Sequence, residues 1–406
     1  MTDPADVADL TERVRSGALR LHELEEHAEP DVATAARRRL LAEETGGDLS
    51  TVGEYAFDAA AAASNVENMV GAVQVPLGVA GPLPVDGGAA GGERYLPLAT
   101  TEGALVASVN RGCAVLRAAG GATARVLQSG MTRAPVFRTG GVAESATVAD
   151  WIRENEAGLA EAAEATTSHG ELVGVEPYVV GDAVYPRFVY DTKDAMGMNM
   201  ATIATRAACE RIEAETPAEL VALSGNLCSD KKPAAINAIE GRGRTVAADV
   251  LVPTEVVEER LHTTPEAVAE VTTRKNHVGS AKAGSLGFNA HVANVVAAVF
   301  LATGQDAAQV VEGANAITTA EARGDGLYVS VTLSSLEVGT VGGGTKLPTQ
   351  AEALDLLGVR GGGDPPGSNA DALAEYVAAG ALAGELSLLS ALASRHLSSA
   401  HEELGR

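Results

Sequence analysis

Lysine is almost missing from this chain of 406 residues. Only six of its 30 basic residues are lysines (Lys193, Lys231, Lys232, Lys275, Lys282 and Lys346), so arginine carries nearly all the positive charge. Aromatic residues are scarce too, at 3%, which leaves core packing to Ala, Val and Leu. The three cysteines, Cys113, Cys209 and Cys228, are odd in number and far apart. That excludes a disulfide framework and any CxxC metal pair, and no metal is expected. There is no G-x-G-x-x-G and no Walker A pattern, so a Rossmann or P-loop site is not supported. The longest apolar stretch, "VANVVAAVFLATG" (Val292–Gly304), carries Asn294 and falls short of the roughly 20 residues a bilayer span needs. The polar, acidic start "MTDPADVADL" is no signal peptide. The expectation is a cytoplasmic protein of a reducing compartment, with no membrane partner.

What is present in excess is acid. The 54 acidic residues give a net charge of −24. Such a charge repels nucleic acid and anionic membranes, and destabilises the compact state through self-repulsion unless salt screens it. Acidic excess with so little lysine points to a high-salt cytoplasm.

Hydrophobic periodicity divides the chain. Residues 1–50 read as short charged helices, and Asp58–Gly71 as a further helix. "TTEGALVASVNRGCAVLRAAGG" reads as a capped helix with Glu102 near its first turn. Between residues 135 and 222 the texture becomes a βαβ-like mixture, which suggests a small α+β domain inserted in a larger one formed by 51–134 and 223–406. Helix starts are expected at Thr264-Pro265-Glu266 and, with a capping box, at Thr349–Glu352. "DALAEYVAAGALAGELSLLSALASRHL" is so nearly uncharged that it must be buried on most sides.

Several stretches could carry chemistry. In "SGNLCSDKKPAAINAIEGRGR" Lys231 and Lys232 stand together beside Asp230. A compact ammonium suits a developing oxyanion or a carboxylate; the bland reading is a solvated turn with a surface ion pair. Glu102 is either a helix-start carboxylate or a partly buried proton donor. Asp306 is the only charge in "NVVAAVFLATGQDAAQVV" and needs a partner, structural or catalytic. His401 in the tail becomes of interest if it folds over a site. The loop "VGTVGGGTKL" and "DAMGMNM" could approach a phosphate through backbone amides.

Taken together, "ENMVG", "PLGVAGPL", "TTEGALVAS", "GMTRAPV", "DAMGMNM", "SGNLCSDKKPAAIN", "VGSAKAGSLGFNAHVAN", "GQDAAQ", "GTVGGGT" and "AGELSLLSAL" occur in the order found in 3-hydroxy-3-methylglutaryl-CoA (HMG-CoA) reductases. From about Glu54 to His401 the chain resembles the class I branch of that family, of archaeal type. The resemblance implies an α+β fold with a large domain around a long central helix and an inserted ferredoxin-like cofactor domain. It implies NADPH-dependent reduction of HMG-CoA to mevalonate and CoA, the committed step of isoprenoid synthesis. It implies a homodimer, or a tetramer, with sites at the subunit interface. The implied catalytic residues are Glu102, Lys231, Asp306 and His401. Substrate contacts fall on Arg133, Ser224, Asp230, Lys232 and Lys275, with Ser108, Asn110 and Arg111 toward CoA. Cofactor contacts fall on Asp194, Met196, Gly197, Asn199, Val341 and Gly342, with Ser168 and His169 near the 2′-phosphate. Ala114 replaces a basic CoA-side position. The rival readings are a class II, NAD-linked mevalonate oxidase, a thiolase-like acyltransferase using Cys228, and a CoA-binding module without catalysis.

Overall fold

The computed structural model of the protein describes residues 3–394. Helices α1 (Pro4–Arg15) and α2 (Pro30–Thr45) open the chain, each with proline in its first turn, where the missing N–H costs nothing. Val7, Leu10, Leu24, Ala33 and Ala36 give them a small core of their own. Residues 58–71 do not form the expected helix: one 3₁₀ turn at Ala59–Ala62 is followed by turns and extended chain. Asn68 is left-handed at φ 53° and Gly71 lies at φ 157°, conformations a helix cannot hold, and Ala59, Ala62 and Met69 pack on Tyr55, Phe57 and Leu347 instead.

Strands β1 (Leu77–Gly87) and β2 (Gly91–Ala99) form an antiparallel pair, followed by α3 (Leu105–Ala118) and the long β3 (Ala122–Arg133), which runs parallel to β1. Next come β4 (Val136–Arg138), α4 (Val142–Glu154), α5 (Glu156–Glu164), β5 (Glu171–Val180), β6 (Ala183–Asp191), α6 (Met198–Glu215) and β7 (Glu219–Ala222). Their strands pair in the spatial order β7-β4-β6-β5, all antiparallel, with helices joining β4 to β5 and β6 to β7. That is the β-α-β-β-α-β arrangement of ferredoxin-like units. Phe137, Val148, Ile152, Phe188, Tyr190 and Ile212 fill its separate core. The last residues of β3, Met131–Arg133, pair with β6, so one strand runs through both sheets.

The chain continues through α7 (Ala235–Glu240), β8 (Gly243–Pro253), α8 (Thr254–Leu261), α9 (Pro265–Val271), a π-helical segment at Thr272–Gly279 and α10 (Ser280–Ala283). It then forms α11 (Val292–Thr303), α12 (Val310–Gly313), β9 (Ala316–Arg323), β10 (Gly326–Leu336), α13 (Pro348–Leu357) and α14 (Ser368–Ala393). In β8 the buried residues Val246, Ala248, Val250 and Val252 recur with period two, which puts one face of the β3-β8-β10-β9 sheet against the helices. Thr264 caps α9 by accepting from the Ala267 amide at 3.3 Å. The capping box expected at Thr349–Glu352 is absent, because Pro348 takes the first helical position and moves Thr349 inside α13.

Helix α14 is the centre of the fold. Nineteen of its 26 residues are buried, as its near lack of charge required. It is long and apolar enough to cross a membrane, but here it is packed within the protein. Small residues let neighbours approach: a Cβ on Gly112 of α3 would stand 2.0 Å from the Ala383 carbonyl oxygen. Its two buried acids anchor loops. Glu375 accepts from the amides of Gly88 (2.9 Å), Ala89 (2.9 Å) and Ala90 (2.7 Å). Glu385 accepts from Ala290 (2.8 Å) and His291 (2.7 Å) and from the Thr318 hydroxyl (2.7 Å), which fixes the entry to α11.

Candidate active site

The lysine pair lies in a loop held in unusual backbone conformations. Asn226, Ser229 and Lys231 all have positive φ (61°, 48° and 60°). Non-glycine residues adopt this region rarely, and clusters of it mark functional segments. The Lys231 ammonium stands 2.9 Å from Asp306 Oδ2. That hydrogen bond holds the Lys231 pKa above the usual lysine value, against the opposing pull of burial. Asp306 is itself oriented by the Ala308 amide, which donates to its Oδ1 at 3.0 Å. The lone acid after the apolar α11 thus has the lysine as its partner. The exposed Lys232 turns back on its own loop, donating to the Asp230 carbonyl (2.9 Å) and to Asn226 Oδ1 (3.3 Å). Asp230 Oδ1 accepts from Arg242 (3.0 Å) and Gln309 (2.9 Å). Lys275 projects from the π-helical segment, a helix irregularity frequent at functional sites, with Asn276 Oδ1 3.4 Å from its ammonium.

Glu102 does not sit in a helix's first turn. Ala104 adopts φ 67°, the helix begins only at Leu105, and Glu102 is exposed rather than partly buried. Its carboxylate accepts from Asn294 Nδ2 at 3.2 Å, in the first turn of α11. Asp306 follows the other end of the same helix, whose 12 residues span about 18 Å. The single chain therefore brings Lys231 to Asp306 but leaves Glu102 apart from them. His401 lies outside the described residues.

Of the remaining substrate candidates, Arg133 ends β3 with its Nε buried and unpartnered, an unspent donor. Ser224 is half-buried beside Gly225, whose amide bonds the Ala134 carbonyl at 2.7 Å. Ser108 and Arg111 meet on one residue of the central helix: Ser387 Oγ lies 3.0 Å from Ser108 Oγ and accepts from Arg111 Nε at 3.0 Å. Asn110 accepts from the Gly81 amide at 3.0 Å. Cys228 is fully buried, which removes it as a thiolase-like nucleophile.

The cofactor candidates converge from two segments. A parallel bridge joins Ala195 to Val341, and the Thr340 amide donates to the Asp194 carbonyl at 2.8 Å. Gly197, Gly342 and Gly343 there have φ of 84°, 77° and 51°. Around Gly342 and Gly343 a side chain would meet open space. The 18-residue α6 starts at Met198 with no side chain capping it, and Asn199 is exposed in its first turn. Ser168 and His169 are exposed in a turn next to Gly170, whose neighbour is Met200 of the same helix. Met196 is half-buried and packs on the small unit's core. Asp194 has its carboxylate committed elsewhere. Its side chain is buried and accepts from the amides of Gly363 (2.9 Å), Gly367 (2.8 Å) and Ala370 (3.1 Å), so it caps α14. Asp194→Ala should therefore cost about 3 kcal/mol in denaturant unfolding by orphaning those donors, with the cofactor KM moving less than about threefold.

Residues 33–406 match the family model for hydroxymethylglutaryl-coenzyme A reductase. The chain belongs to this family. It is 74% identical to the 3-hydroxy-3-methylglutaryl-coenzyme A reductase of Haloferax volcanii over 406 residues, all of both chains. It is 70% identical to that of Halobacterium salinarum over 404 residues, 99% of this chain and all of that one. Among solved structures, the class II reductase of Streptococcus pneumoniae, described as bound to NADPH in open conformations, superposes with a TM-score of 0.67. It is 21% identical and covers 92% of this chain and 96% of its own, a likeness of fold. The chain is an oxidoreductase of this family, and its acidic, lysine-poor composition accords with its two haloarchaeal relatives.

Beneath the lysine loop lies a cluster that sequence reading missed. The wholly buried Arg242 donates to Asp230 (3.0 Å), Glu312 (2.8 Å), Glu337 (3.0 Å) and Gln309 (3.2 Å). Asn294, which interrupts the apolar run of α11, is the residue that meets Glu102. The usable signal was the one already applied to Asp306: Glu312, Glu337 and Glu385 are acids in largely apolar company.

Proposed function

We propose that this protein reduces HMG-CoA to mevalonate and CoA with two equivalents of NADPH. The observation that carries the reading is the Lys231–Asp306 pair at 2.9 Å on a strained loop, in a chain of this family. Lys231 is suited to stabilise the oxyanion that forms when the thioester carbonyl is attacked, as a preorganised cation. Asp306 keeps that cation charged and aimed. Glu102 is the proton donor to the carbonyl, and His401 the acid for the departing thiolate. Lys232, Lys275 and Arg133 hold the substrate's carboxylate end with Ser224 and Asp230, and Ser108, Asn110 and Arg111 face CoA.

NADPH supplies hydride. The residues fit such a group: the uncapped N-terminus of α6 and the open glycines at 342 and 343 offer backbone amides to a diphosphate. Gly197, Met196, Asn199 and Val341 line that cradle, with Ser168 and His169 toward the 2′-phosphate. We also propose that two chains pair to complete each site, since within one chain Glu102 meets Asn294 near the start of α11 while Asp306 lies beyond its end.

The test is loss of NADPH absorbance on adding HMG-CoA, in a series from low to multimolar KCl. Activity and melting temperature are both expected to rise with salt, as screening relieves the net charge of −24. NADH turnover equal to NADPH turnover, running toward mevalonate oxidation, would favour the class II reading instead.

A further inference from the structure

Lys231 is held at its backbone as well as at its tip. Its amide donates to Glu312 Oε1 at 3.1 Å, and the same oxygen accepts from Asn237 Nδ2 at 3.2 Å. The other oxygen, Oε2, accepts from Arg242 at 2.8 Å. Glu312 and Arg242 are both buried, and Arg242 reaches across to Asp230, the residue just before Lys231. Asn237 bonds in turn to the Ser229 carbonyl at 3.3 Å. Three successive loop residues, Ser229, Asp230 and Lys231, are thus tied to one buried cluster, and two of them have positive φ.

The charged groups around Glu312 are Arg242, Glu337 and Asp230, and the Lys231 amide reaches it as a neutral donor. One guanidinium faces three acids there. Burial raises both glutamic acids, with Arg242 opposing it, and it raises the wholly enclosed Glu337 furthest. Glu337 Oε2 has no hydrogen-bond partner, and burial disfavours the charged form most strongly there. Glu312 is the acid whose two oxygens meet both Arg242 and the Lys231 amide.

We propose that Glu312 is a positioning residue for Lys231: clamped between the Arg242 guanidinium and the Lys231 amide, its carboxylate fixes the left-handed backbone from which the ammonium reaches Asp306. The inference rests on the reading of Lys231 as the cation at the reacting oxygen. Glu312 touches no reactant, and its one direct contact within the loop is the Lys231 amide. Left-handed backbone at lysine persists only where the surroundings over-determine it, and the loop has no other buried anion on the Lys231 amide.

Two variants separate this role from plain stability. Glu312→Asp keeps a charge near Arg242 but withdraws the oxygen from the Lys231 amide. Glu312→Gln keeps one acceptor oxygen at full length for the Lys231 amide and gives up the Arg242 contact, leaving that guanidinium to Asp230 and Glu337. Per folded enzyme, Glu312→Asp should lower kcat about ten- to a hundredfold with both KM values within about threefold, as small misplacement of a catalytic group does. Glu312→Gln should recover most of that loss. The second readout is independent of activity. With only six lysines, ¹³Cε-lysine labelling gives few signals, and the one missing in Lys231→Ala is Lys231. Its titration midpoint should fall toward the ordinary lysine value in Glu312→Asp and stay near wild type in Glu312→Gln. A lowered melting temperature with unchanged kcat and unchanged titration would overturn the proposal, and so would a Gln variant as impaired as Asp. If instead the reading of Lys231 is wrong, Lys231→Ala turns over normally while the titration difference persists, so the two failures are distinct.

Discussion

Lys231→Ala is expected to lower kcat about a hundred- to a thousandfold while the KM for HMG-CoA changes less than about threefold, measured by NADPH absorbance in molar KCl. A preorganised cation acts on charge that develops only after attack, so its removal falls on the transition state and spares substrate binding. Lys231→Arg should not restore the rate. A guanidinium fork placed on Asp306 cannot present the compact point charge that an oxygen needs in the same space. The pH profile offers a related check. The hydrogen bond to Asp306 raises the Lys231 pKa, so the protonated form is complete below the ordinary lysine value and is lost only at higher pH. Asp306→Asn removes that support, and the alkaline limb of kcat should move to lower pH. Near-normal turnover in Lys231→Ala would remove the assignment.

The lysine pair was legible because lysine is so rare elsewhere in the chain, and α14 because a nearly uncharged stretch of that length must be buried. The βαβ-like texture between residues 135 and 222 was equally open to reading, since it follows from local pattern, whereas the ferredoxin-like arrangement came only with the resemblance. What failed failed for tertiary reasons. Residues 58–71 are alanine-rich, yet Asn68 and Gly71 adopt conformations outside the helix, and the apolar residues pack on Leu347 from far along the chain. Glu102 moved out of α3 because Ala104 turns left-handed, which no propensity for alanine foretells. The Asp194 carboxylate serves the start of α14, a partner more than 170 residues along the chain that no local motif announces. The Arg242 cluster draws on Asp230, Gln309, Glu312 and Glu337, four positions spread over more than a hundred residues, and nothing local joins them.

The separation of Glu102 from Lys231 makes the second large prediction. Glu102→Ala and Lys231→Ala should each leave about 1% of activity or less as homodimers. Co-expressed with different tags and purified as the mixed dimer, they should regain about half of the wild-type rate, because a two-fold dimer with shared sites then contains one intact site and one doubly defective one. If each site were built within one chain, the mixed dimer would have a defect in both sites and stay inactive. The structure favours the shared arrangement on geometric grounds. Glu102 is tied to Asn294 near one end of α11, and the Lys231–Asp306 pair lies beyond the other, past about 14 Å of rigid helix. Helix α11 cannot shorten: eight of its 12 residues are buried and Glu385 fixes its start, so closing the gap within one chain would mean unpacking the core. Bringing up the same helix end from a second copy requires no such change, and it would cover Glu102 and Lys231, both exposed in the single chain.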